Sequence, residues 1–302
     1  MKTRAVISHA YLLAAFQRAS RMLKNTLKQM ALLCNACLCG GKSSVTTLTD
    51  NGSIFTEVLI GGILKHHCQG SSWGGTYSAN DIHIIKWVSR SHRYNHEPYS
   101  YEMKILQNPV GDTGRSLAEA MARDLRKAAE IFTPELYKLR DGWPAHLLDL
   151  KELLEGAKQA SARKPCFVKS LSQHPAIMPS SDRVSFLTNL DRERYRLRDI
   201  MLHPPTAYPN GWKAIMQSAI AAEKRADKDG ISLLETFYTN DNRQGDKYDD
   251  TAGALIRFIR NVIVHNAQYR QCQLEWYFAK IFSRCLPSIM RTLLDTGRME
   301  QL

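Results

Sequence analysis

Acidic residues are missing from the start of the chain: no Asp or Glu precedes Asp50, whereas Lys2, Arg4, Arg18, Arg21, Lys24, Lys28 and Lys42 do. A basic, acid-free, Ser/Thr-containing start with amphipathic potential has the character of an organellar transit peptide. Organelle targeting is therefore one expectation, beside cytoplasm or nucleus. Also missing is any apolar run of the roughly 20 residues that a bilayer span needs. Tyr11–Phe16 is cut off by Gln17 and Arg18, too short even for a secretory core, so no integral membrane association is expected. The seven cysteines are odd in number and unevenly spaced, which argues against a disulfide framework and for a reducing compartment. Cys34, Cys37 and Cys39 lack a second ligand half at zinc-finger spacing, since His66, His67 and Cys68 lie too far on. His66 and His67 have neither a third ligand nor an acidic partner at usable spacing and are read as surface. Gly40-Gly41-Lys42-Ser43-Ser44 lacks the earlier glycine of a phosphate-binding loop, because Ala36 stands there. No metal and no cofactor is expected.

What the sequence has in surplus is positive charge. Forty-one Lys and Arg against 29 Asp and Glu give a formal net charge of +12, which favours polyanionic partners such as RNA. With 302 residues, 44% of them hydrophobic, the chain can build one large or two small cores.

Composition divides the chain. Residues 1–50 form a basic N-terminal segment, with helical spacing of Val6, Ala10, Leu13, Leu23, Leu27 and Met30 through about residue 34. Residues 51–115 are rich in Gly, Ser, Asn and His, carry turn signals at Gly61-Gly62 and Gly74-Gly75, and read as irregular and poorly structured. Two β-like runs interrupt them, Ile54–Ile60 and Ile82–Val88. Residues 116–165 read as amphipathic helices, one over Leu117–Ile131 and another after Trp143-Pro144, where proline suits a first turn. Residues 166–302 continue helically, so the fold class is mainly α.

Motifs in the second half bear on function. Asp149–Leu154, Lys164-Pro165 and Leu171–Pro175 are similar to the last helices of a protein kinase C-lobe with its His-Pro turn. Ser181–Leu187 with Asp191-Arg192, then Tyr248, then Ala254–Asn261, His265, Trp276–Phe282 and Leu286–Ile289 follow in order. This succession resembles the kinase-extension nuclease (KEN) family. Its members include the inositol-requiring kinase/ribonuclease of the unfolded protein response and ribonuclease L. The resemblance implies an all-helical ribonuclease domain over 166–302, preceded by remnant kinase C-lobe helices over 116–165. Upstream there is no Gly-rich loop with a Val-Ala-x-Lys strand, no His-Arg-Asp and no Asp-Phe-Gly, and His92–Asn95 echoes the catalytic loop only superficially. No kinase activity is expected. Val262 and Val264 stand where the family has Lys and its first His.

Read from the residues alone, Asp249–Tyr269 has a defined layout. Asp249, Asp250 and Thr251 offer caps for a helix whose apolar side is Leu255, Ile256, Phe258, Ile259, Val262 and Ile263. Arg257, Asn261 and His265 recur every four residues along the opposite edge, with Arg260 beside them. A guanidinium forks onto phosphate oxygens and an imidazole moves protons near neutrality. The expected chemistry is metal-independent RNA cleavage by 2′-hydroxyl attack. His265 serves as general acid/base, Arg260 and Asn261 hold the scissile phosphate, and Arg257 contacts RNA. By resemblance, Tyr248 completes the site as a second proton-transfer or orienting group. Family precedent also implies a homodimer, or a heterodimer with a kinase/ribonuclease relative. The competing expectation, favoured by Val262 and Val264, is a catalytically inactive module that pairs with such a relative.

Overall fold

The computed structural model describes residues 33–38, 43–48, 50–88, 99–111, 115–132, 143–241 and 248–299. The expected helix over residues 1–34 falls outside them apart from residues 33 and 34, which open a strand, and of the basic segment 1–50 only residues 33–38, 43–48 and 50 are described. As the composition leads one to expect, the fold is mainly helical.

Among the described residues six strands form three antiparallel pairs. β1 (Leu33–Leu38) pairs with β2 (Ser43–Leu48), β3 (Ser71–Ser72) with β6 (Val110–Gly111), and β4 (Ile82–Val88) with β5 (Tyr99–Ile105). β4 coincides with the β-like run over the same residues. The other run does not survive: Ile54–Ile60 lies inside α1 (Asp50–Cys68). Phe55, Leu59, Ile60, Ile63 and Leu64 are buried there, a helical spacing that overrides local β propensity once α1 packs on β5. Much of 51–115, read as irregular, is thus ordered.

α2 (Arg115–Ile131) and α3 (Ala145–Glu155) follow, the latter starting directly after Pro144. With α1, β4–β5 and α4 (Pro165–Ser172) they enclose one hydrophobic core, running from Phe55 to Ile177. At its centre Asp124 is fully buried. Its carboxylate accepts from Ser72 Oγ (2.6 Å), the backbone N–H groups of Trp73 (3.0 Å) and Gly75 (2.7 Å), and His67 Nε2 (3.1 Å). The Tyr77 hydroxyl donates to the Asp124 carbonyl at 2.6 Å. Here the surface reading of His67 fails: its acidic partner comes from 57 residues downstream, a pairing that local spacing cannot reveal.

A second core runs from Phe186 to Leu293. It is built by α5 (Ser180–Arg192), α6 (Arg198–Met201), α7 (Trp212–Ala226), α8 (Leu233–Asp241), α9 (Ala252–His265), α10 (Gln271–Ile281) and α11 (Cys285–Asp295). Fully buried Trp212 stacks on Phe258 with ring centroids 5.6 Å apart, and its indole N–H donates to the Asp249 carbonyl at 3.1 Å. Gly211 precedes it at φ +81°, where a Cβ would sit 1.7 Å from an Asp250 carboxylate oxygen. That carboxylate accepts from the Lys213 N–H at 3.1 Å, capping α7. Gly211→Ala is expected to lower stability by about 1–3 kcal/mol from backbone strain alone. An unchanged thermal midpoint would show that α7 re-forms its start at no cost.

The two cores are joined by buried polar contacts. Arg183 holds Glu275 through two 2.8 Å bonds, with Ser180 Oγ (2.9 Å) and His146 Nε2 (3.2 Å) donating to the same carboxylate. Burial holds the His146 imidazole below its usual pKa, so its contact with Glu275 is a neutral hydrogen bond and the compensating charge is Arg183. Nearby, Asp149 accepts from His174 Nε2 (3.0 Å) and from Arg291 (3.1 and 3.2 Å). The Ala176 N–H donates to His174 Nδ1 at 3.1 Å, which fixes the ring proton on Nε2.

Candidate functional site

α9 begins where the sequence places caps: Thr251 Oγ1 accepts from the Ala254 N–H at 3.2 Å. Leu255, Ile256, Phe258, Ile259, Val262 and Ile263 are all buried, as the helical spacing requires. The opposite edge is less uniform than its fourfold recurrence suggests. Arg257 is half-buried, His265 is exposed in the last turn, and Asn261 is only 8% exposed. Asn261 is drawn inward because its Nδ2 donates to the Tyr248 hydroxyl oxygen at 3.0 Å. Tyr248 is itself buried, its ring edge-on to Phe258 (5.6 Å) and Trp212 (6.3 Å). On the other side, Arg260 Nη1 donates to Asn261 Oδ1 at 3.0 Å. Tyr248, Asn261 and Arg260 therefore form one connected row. Asn261 is oriented from both ends, so its amide assignment follows from its partners.

Arg260 is steadied by Asp191 of α5, its Nε 3.9 Å from a carboxylate oxygen. The other Asp191 oxygen takes Arg194 Nη1 at 2.7 Å. One half-buried carboxylate thus sets the guanidinium beside Asn261 and a second one on the neighbouring loop. Along the sequence, Arg192, Arg194, Arg196 and Arg198 are interleaved with Asp191, Glu193 and Asp199, the pattern of a solvated face, and the fold splits this run. Arg192, Arg196 and Arg198 are exposed and Arg194 is half-buried, and of these four Arg194 and Arg198 line a cavity of about 380 Å³. Tyr195, Tyr248, Asp249 and Arg257 also line it. Its size falls within the roughly 300–1,000 Å³ of pockets that hold small organic ligands. Among the described residues, neither Arg198 nor Arg257 has a carboxylate within ion-pair distance. Tyr195 is 78% exposed, with the Arg194 guanidinium 4.9 Å from its ring centroid. The hydrogen bond from Arg194 draws the phenol below its usual pKa of 10.

The structure therefore brings Tyr248, Arg257, Asn261 and Arg260 to one end of the site. His265 stands one helical turn beyond Asn261, about 6 Å along the axis. Its side chain faces solvent and not the core. Val262 is 1% exposed and belongs to the hydrophobic core, while Val264 is 41% exposed beside His265. Asp191, Arg194, Tyr195 and Arg198 are the site residues that sequence reading missed. The available signal was the aromatic inside a basic run, Arg-Tyr-Arg-Leu-Arg, which is a nucleic-acid composition as much as a solvated one.

Among the described residues no group of three His, Cys, Asp or Glu side chains is placed to hold a metal ion. Among them, too, no helix is long and apolar enough to cross a membrane. No family model and no curated protein sequence matches the chain.

Proposed function

We propose that the chain is a metal-independent endoribonuclease of the KEN type, acting on single-stranded or looped RNA. The observation that carries this reading is the Tyr248–Asn261–Arg260 row beside a cavity with two guanidiniums that have no carboxylate partner among the described residues. Arg257 and Arg260 supply forks for phosphate oxygens. Asn261, held by Tyr248, adds a fixed dipole where charge grows on the phosphorane. His265 takes the proton from the 2′-hydroxyl as the 2′-oxygen bonds to phosphorus, the P–O5′ bond breaks, and solvent water protonates the departing 5′-oxygen. The products are a 2′,3′-cyclic phosphate and a 5′-hydroxyl. Tyr248, buried and accepting from Asn261, acts here as an orienting group. Work in mRNA processing or an unfolded-protein-type response, and pairing with a second copy or a kinase-bearing relative, belong to the same proposal.

The test is cleavage of an RNA stem-loop in EDTA. Wild type should yield cyclic-phosphate ends, with rates about 10²-fold lower or less in His265→Ala and Arg260→Ala. Equal rates in all three would remove the assignment.

The exposed apolar Val264, where the family has His, favours a second reading: a silent module docked on a kinase/ribonuclease relative. That reading gains ground if wild type shows no cleavage but co-sediments with such a relative at micromolar concentration.

A further inference from the structure

The cavity between the α5–α6 loop and the start of α9 is chemically two-sided. One side is cationic, with Arg198 and Arg257 unpaired among the described residues. The other carries a bare aromatic ring. An exposed Tyr in a soluble protein is unremarkable alone; here Arg194 covers one ring face, held by Asp191 from behind. The ring lines the cavity and is 78% exposed, so its other face is open. Guanidinium, phenol ring and open space stand in that order. A ligand that completes this stack needs a flat π-face together with negative charge within reach of two arginines.

Single-stranded RNA has both in every nucleotide: bases stack on aromatic side chains and phosphates pair with Arg. A bare phosphate would leave the ring unused. A membrane surface would need an apolar rim, and beside Tyr195 only Leu202 is both exposed and apolar there. We propose that this cavity is a nucleotide subsite, in which Tyr195 stacks one unpaired base and Arg198 and Arg257 hold an adjoining phosphate. The proposal rests on the RNA reading and deepens it. Tyr248 lines the same cavity, so the stacked nucleotide lies next to the scissile one and the subsite selects unpaired RNA over duplex. Tyr195 is then a specificity residue that touches substrate without taking part in proton transfer.

The experiment uses the full chain and two probes: a fluorescein-labelled single-stranded octaribonucleotide, and inorganic polyphosphate of matched charge as a polyanion without bases. Tyr195→Ala should weaken RNA binding about tenfold, within the range that base stacking supplies, and leave polyphosphate binding unchanged. Tyr195→Phe should bind RNA as wild type does. Arg198→Ala should weaken both probes and flatten the salt dependence for RNA by about one phosphate contact. If Tyr195→Ala binds RNA like wild type, the subsite is wrong while the ribonuclease reading stands. If it weakens both probes equally, Tyr195 acts only by ordering Arg194 and the stacking proposal falls. If wild type binds polyphosphate but no RNA, the proposal and the reading beneath it fall together.

Discussion

Replacing Asp124 by Ala is expected to lower stability by at least about 4 kcal/mol, enough to leave much of the first core unfolded. The side chain is buried and satisfies four donors at once: Ser72 Oγ, the Trp73 and Gly75 N–H groups, and His67 Nε2. Removing the acceptor leaves these donors inside the protein without a partner, at about 1–3 kcal/mol each. No local repacking supplies a substitute, because Gly75 lies against the backbone of Arg123. Asp124→Asn tests the chemistry more finely. Its shape is nearly conserved, but one acceptor becomes an N–H₂ facing donors, so it should cost more than half of the Ala value. Urea midpoints read the loss, and hydrogen exchange locates it in α1 and α2 ahead of α9. A change under about 1 kcal/mol would mean that the loop over residues 71–77 does not depend on this carboxylate.

Arg183→Ala should be comparably severe, and its cost should depend on pH. Glu275 is 2% exposed, and the Pro175 and Met178 carbonyls also accept from Arg183. Breaking a buried pair by deleting one partner costs about 3–5 kcal/mol. Burial by itself pushes the Glu275 carboxyl upward, but the Arg183 charge and hydrogen bonds overcome it and hold the group at about 2, against 4.5 for a free glutamate. A depressed folded-state pKa contributes stability above pH 4.5, here about 3 kcal/mol, that is lost as pH falls from 4.5 towards 2. Without Arg183 the burial effect is opposed only by the His146 and Ser180 hydrogen bonds, so the folded-state pKa rises and the variant keeps less of that stability. The gap between wild type and variant is therefore expected to be widest above pH 4.5 and to shrink as pH falls towards 2. Both proteins also lose stability below about pH 6.5, because burial keeps His146 and His174 below their ordinary value of 6.5 and the unfolded chain takes up protons first. Comparing the two proteins at each pH removes the His174 part of that slope, whereas His146, which the Arg183 charge helps to lower, takes up a proton more readily in the variant. A gap that stays constant as pH falls from 4.5 towards 2 would show that Glu275 is not held ionised by Arg183. The double replacement Arg183→Met with Glu275→Gln should recover more than half of the loss, since it removes the uncompensated charge.

Several features were readable from residue order. The spacing of Leu255, Ile256, Phe258, Ile259, Val262 and Ile263 defined the buried side of α9, and Thr251 its cap, because both follow from helix geometry within one segment. The Ile82–Val88 strand and the helices after Ser116 were legible for the same reason. Three readings went astray, each at a contact made over distance. Ile54–Ile60 reads as β by propensity, yet its neighbours in the folded chain are β5, α2 and α4, and only a helix buries that apolar set against them. His67 seemed unpartnered because Asp124 is remote in sequence. Asn261 counted as a solvent-facing member of a polar row, and Tyr248 draws it inward.

The sequence by itself determined a mainly helical chain of strong positive charge, and the order of residues on α9, since periodicity and composition are local properties. Tertiary structure alone decided which charges do something. Asp191 turns Arg194 and Arg260 toward Asn261 and the cavity, while Arg192 and Arg196 stay in solvent, although all four lie on α5, its following loop or α9 and look alike in the sequence. The difference is burial and a shared carboxylate, and both exist only once α5 packs against α9.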